Sequence, residues 1–131
     1  MNYPCSSLVN PSSIANADAD IPFIEFIPIL GHKVVFRPLK MGEDKTRNGD
    51  KTPYVKFEMY DFSTGNICVG RTTVLGIVAV LKSLIVDSKI TAGIIESYYF
   101  PYSPKIKLVD LKDTDDIERA ESKARELGWI E

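Results

Sequence analysis

In "YVKFEMYDF", Tyr54, Lys56 and Tyr60 occupy every-other-residue positions, with Val55, Phe57 and Met59 between them. An extended chain would carry the two phenol rings and the ammonium on one face and the apolar side chains on the other. Basic residues precede this stretch: Lys33, Arg37, Lys40, Lys45, Arg47 and Lys51. Arg71 follows it. A second group, Tyr98, Tyr99, Phe100 and Tyr102, runs into Lys105 and Lys107. Rings interleaved with cations suit single-stranded nucleic acid. Bases stack on aromatic faces at about 1–3 kcal/mol each, and cations track the phosphates. The same residues have a plainer use. Tyrosine is a common strand residue, and such rings also fill a core or cover its mouth.

Other chemistries find less support. His32 is the single histidine, and Cys5 and Cys68 are the two cysteines. They do not make a zinc constellation, and nothing in their spacing demands a Cys–His pair. Two distant cysteines are expected to be free thiols in a reducing compartment, with Cys68 a small buried apolar residue. "DTDD" (113–116) suits a helix cap better than a calcium loop. "GEDKTRNGDKT" lacks the spacing of a phosphate-cradling loop. No catalytic, metal or cofactor site is expected.

With 131 residues the chain fits one domain. Its net charge of −2 is unevenly spread. Residues 31–56 hold seven Lys/Arg against three acids, whereas 111–131 hold four basic and seven acidic groups. Near-neutrality argues against indiscriminate polyanion binding but permits a local basic stripe. The N-terminus lacks a basic stretch followed by an apolar run, and no segment approaches the ~20 apolar residues of a membrane helix. A cytoplasmic protein without membrane contact is expected, in the host cytoplasm if viral.

Residues 1–20, rich in Ser, Asn, Pro and Asp, form an expected flexible arm. "IPFIEFIPIL" (21–30) is β-prone, but Pro22 and Pro28 push it toward a sheet edge or an irregular lead-in. "HKVVFR" (32–37) predicts a strand ended by Pro38, and residues 40–53 a mobile charged loop. "YVKFEMYDF" (54–62) and "ICVGRTTV" (67–74) predict a hairpin about "STGN", with Gly70 a candidate bulge. "VLGIVAVLKSLIV" (74–86) exceeds a usual strand length and is taken as a short buried helix capped by Thr72 or Thr73. "GIIESYYF" (93–100) and "PKIKLVDL" (104–111) predict two more strands. The end predicts a helix capped at Asp113 or Thr114, with Ile117, Ala120, Ala124 and Leu127 on one face, stopped by Gly128.

Five short strands with one helix between the third and fourth is the order of an OB-fold barrel. In element order over 21–111 the chain resembles the small OB-fold single-strand-binding proteins, especially phage-type ones. The elements that carry this are "GHKVVFRPL", the hairpin "YVKFEMYDFSTGNICVGRTTV", the helix "VLGIVAVLKSL" and the returning strand pair. The expected architecture is mainly β: a five-stranded OB-like barrel (21–111), preceded by the arm (1–20) and followed by an acidic helix (112–131) on or beside it. The resemblance implies single-stranded DNA binding with little sequence preference, in phage DNA replication or recombination; RNA is the variant ligand. In such a fold strands two and three and the one–two and four–five loops form the binding face. The candidate binding residues are therefore Lys33, Arg37, Lys45, Arg47, Lys51, Tyr54, Lys56, Tyr60, Arg71, Tyr99, Tyr102, Lys105 and Lys107. The alternative is a protein-interaction or viral assembly module without catalytic activity, forming homo-oligomers through the N-terminal arm or a sheet edge.

Overall fold

Val34, Val35 and Phe36 are fully buried. Three consecutive buried residues require cover on both faces of a strand, and that requirement organises the fold. The computed structural model describes residues 21–45, 49–100 and 103–130; for 44, 45, 99, 100, 103 and 104 the description is of backbone alone. The expected arm over 1–20, together with Arg47 and Tyr102, lies outside the described residues.

Strand β1 (Lys33–Lys45) pairs antiparallel with β2 (Lys51–Asp61) along its length, and with β4 (Thr91–Phe100) through Lys33–Phe36 alone. β2 pairs with β3 (Asn66–Thr72), and β4 with β5 (Ser103–Asp110), giving one sheet in the order β3-β2-β1-β4-β5. Helix α1 (Leu75–Ile85) joins β3 to β4, and α2 (Thr114–Glu126) follows β5. This is the mainly β, OB-like element order. Among the described residues β3 and β5 do not pair, so the barrel is open between them.

The inner face carries the larger core. Phe36 and Phe57 meet edge-to-face at 5.0 Å, and Phe26 packs on Phe36 at 6.4 Å. Val34, Val55, Met59 and Ile95 join them beneath Ile77, Val78 and Leu81 of α1. The β-branched run 74–86 is thus helical because one of its faces fills the barrel. Its cap differs from expectation. Val74 occupies the N-cap without a side-chain bond, while the Thr72 hydroxyl accepts the Val74 N–H at 3.0 Å. Gly76 brings α1 against β5, where a Cβ would meet the Ile106 carbonyl oxygen.

The outer face is covered by α2. Ala120, Ala124 and Trp129 pack on Val35, flanked by Tyr60, Phe62, Ile67 and Ala92. The small residues let the helix approach the sheet closely. Asp113 caps α2 by accepting the Asp115 N–H at 2.8 Å. Gly128, at φ +77, ends it, and the Trp129 N–H returns to the Ala124 carbonyl at 2.8 Å. Ile117, on the expected apolar face, stays 39% exposed.

Four expectations are corrected. Pro38 does not end β1: β4 pairs with β1 only through Phe36, so among the described residues the proline sits where the strand has one neighbour, and a register shift between Pro38 and Lys40 absorbs it. The charged loop of 40–53 is therefore mostly ladder, paired out to Lys45↔Lys51. Gly70 makes no bulge, since β3 pairs with β2 without a register shift. Instead it admits Ile24, whose side chain a Cβ there would strike. Cys68 is disulfide-bonded and not a free thiol; the other cysteine, Cys5, lies outside the described residues. No helix among the described residues is long and apolar enough to cross a membrane.

The close approach of α2 gives a direct test. Ala124→Leu inserts three carbons where Ala124 is fully buried. It is expected to destabilise the fold by about 1–3 kcal/mol in urea denaturation.

Candidate nucleic-acid interface

Directly opposed residues of an antiparallel sheet project from the same face. The alternation predicted for β2 holds: Val55, Phe57 and Met59 join the core, and Tyr54, Lys56, Glu58 and Tyr60 take the outer face. The outer face is divided into zones along the strands.

The first zone lies under α2. Tyr60 stands opposite Val35 and Ile67, and its ring meets Phe62 edge-to-face at 4.8 Å. The Lys123 ammonium sits 4.7 Å from the Tyr60 ring. A hydrogen bond to Glu126, reinforced by Tyr60, holds Lys123 above the ordinary lysine range. The Arg119 guanidinium covers Phe62 at 5.3 Å, and Lys33 pairs with Asp116 of the same helix at 2.7 Å. Tyr60 and Lys33, both candidates from the sequence, are thus engaged by α2.

The second zone is uncovered by α2 and lies toward the far end of β1. Arg37 opens it, bonded to Glu58 directly opposite at 3.1 Å. Beyond the bulge, Lys40 of β1, Lys56 of β2 and Arg71 of β3 stand in one transverse row. Each also engages a neighbour within the chain. Next to the row, Tyr54 is 5% exposed, against the expectation of an outward, accessible ring. It lies across the Gly42 backbone, where a Cβ would collide with its ring. The Arg71 guanidinium sits 5.1 Å from the Tyr54 ring and 4.1 Å from that of Phe23.

A third patch occupies the other end of the same face. β4 runs on past the start of β1, carrying Tyr98 opposite Lys105 and Glu96 opposite Lys107. Tyr98 is 39% exposed, and the Lys107 ammonium lies 5.2 Å from its ring. The sequence groups this patch with the β2 rings; α2 parts them. Lys51 is exposed and pairs with Glu43 at 3.7 Å. The side chains of Lys45 and Tyr99 are not described. Sequence reasoning left Lys40 and Phe23 out of the candidate set. Lys40 stands among the basic residues before β2 in the sequence, but its alignment with Lys56 and Arg71 follows only from the register beyond Pro38. For Phe23, the only signal was the edge placement implied by Pro22.

His32 serves the frame. Its Nδ1 lies 2.7 Å from Oδ2 of buried Asp61, whose Oδ1 accepts the Ser63 N–H at 2.8 Å. This ties the start of β1 to the end of β2. Among the described residues no group of His, Cys, Asp and Glu is arranged to hold a metal ion.

Comparison with known proteins found no matching family model, no matching curated protein and no matching solved structure.

Two substitutions probe this geometry. Gly42→Ala should drive the Tyr54 ring off β1 and lower stability by about 1–3 kcal/mol, seen as a lower Tm and a solvent-exposed tyrosine in NMR. His32→Ala should cost about 1–3 kcal/mol in denaturant titration, because buried Asp61 loses a partner.

Proposed function

We propose that the protein binds single-stranded DNA with little sequence preference, across the uncovered half of its outer sheet face. The observation that carries this reading is the transverse row Lys40–Lys56–Arg71. A phosphate chain laid across the strands would meet one cation per strand. Contacts of this kind position a ligand without reading its sequence. The buried Tyr54 ring backs the Arg71 guanidinium at 5.1 Å and so helps to fix the position of one cation of the row. The Tyr98–Lys105–Lys107 patch is a second contact area for a longer strand. A role in phage DNA replication or recombination is the setting in which the resembling proteins act.

A second reading, a protein-interaction or assembly module, draws on α1. Its outward side exposes Leu75 at 73%, and Val86 beyond its end is 88% exposed. The arm-exchange version has less support, because residues 22–24 already lie on an edge of their own sheet.

Fluorescence anisotropy with labelled oligo-dT tests the first reading. Three phosphate contacts predict that log affinity falls with log salt at a slope of about −2, and Lys56→Ala should reduce that slope by about 0.7. Absence of binding at low salt, or a slope indifferent to Lys56, would refute it. Oligo-U in parallel compares RNA with DNA.

A further inference from the structure

Residues 22–24 form a strap on the open edge of β3. The Ile24 N–H donates to the Arg71 carbonyl at 3.0 Å, and the Arg71 N–H donates to the Pro22 carbonyl at 3.0 Å. The bridge is parallel and places Phe23 beside Arg71. Neighbouring residues of an extended segment point to opposite faces. Ile24 goes inward over Gly70 and joins the core, and Phe23 goes outward. The cation row thus continues by one more strand, as Phe23–Arg71–Lys56–Lys40 across strap, β3, β2 and β1. At about 4.8 Å between strands the row spans about 14 Å.

Phe23 is held by backbone bonds on both sides, yet its ring is 47% exposed. The Arg71 guanidinium lies 4.1 Å from its centroid. A ring fixed in place, half bare and backed by a guanidinium meets what a stacking platform needs. Its orientation is set before the ligand arrives, and it has a π-face to share.

We infer that Phe23 is the base-stacking residue of the interface: an unpaired base of a single-stranded nucleic acid rests on its ring while the phosphates cross Arg71, Lys56 and Lys40. This rests on the single-strand-binding reading above. It adds that the segment before β1 belongs to the site, and that bases as well as phosphates are recognised at the β3 edge.

The test separates the two claims by using two ligands, (dT)12 and a 12-mer of abasic sites with the same phosphates. Phe23→Leu keeps an apolar side chain but removes the π-face. It is expected to weaken (dT)12 binding about 5- to 150-fold and leave the abasic strand unchanged. Phe23→Trp should bind (dT)12 at least as well as the parent, with its new indole emission quenched by (dT)12 and not by the abasic strand. Thermal melts confirm that each variant is folded. If Phe23→Leu binds (dT)12 like the parent while Lys56→Ala weakens both ligands, the Phe23 inference is overturned and the phosphate row stands. Equal weakening of both ligands by Phe23→Leu also overturns it, since the strap then acts only on the frame. If the folded parent binds neither ligand, the single-strand-binding reading fails and this inference with it.

Discussion

The fold depends on burying both faces of one strand. Val34 and Phe36 of β1 face the barrel interior, and Val35 between them faces the other way. Each face needs its own cover, because apolar side chains left toward water forfeit roughly 25 cal/mol per Å². Inside, the edge-to-face contact of Phe36 with Phe57 and the underside of α1 supply it. Outside, the alanine stripe of α2 does. The C-terminal helix is thus a wall of the structure, and a boundary drawn at residue 111 would leave Val35 and Ala92 bare.

That second cover decides where any ligand can go. An OB-like sheet offers its outer face for binding, but here α2 lies across the stretch that carries Tyr60 and turns Lys33 toward Asp116. What remains open lies on either side of the helix: the cation row with Phe23 on one side, the Tyr98 patch on the other. Arg37 and Glu58 form the boundary next to the row.

The elements were legible in the sequence where local pattern and tertiary need agreed. The strict alternation of 54–60 set both faces of β2, and the acids and Asp113 marked the start of α2. Pro38 misled because a proline stops a strand only where its missing N–H is needed, and the sequence does not announce where β4 ends its pairing with β1. Tyr54 misled for a similar reason. Its face was correct, but its burial depends on Gly42, which is opposite only once the register beyond the bulge is known. The coverage of Tyr60 by Lys123 joins residues far apart in sequence and was invisible to periodicity. The pairing state of Cys68 could not be read from cysteine spacing.

Beyond Phe36, β1 and β2 leave β4 behind and continue as a ladder whose β1 edge has no strand beside it among the described residues. β3 supports β2 only as far as Val55, so among the described residues the ladder from Gly42 outward is a two-stranded ribbon. Ribbons of this kind sit at the low end of a protein's local opening free energies. Tyr54 laid over Gly42 acts as a clasp at the point where the ribbon begins. Inside the clasp, Lys40 and Lys56 are backed by a third strand, through Arg71 of β3. Outside it, the pairs from Glu43↔Pro53 to Lys45↔Lys51 have only β1 and β2 among the described residues. The cation row therefore lies on the three-stranded part of the sheet, inside the contact of Tyr54 with Gly42.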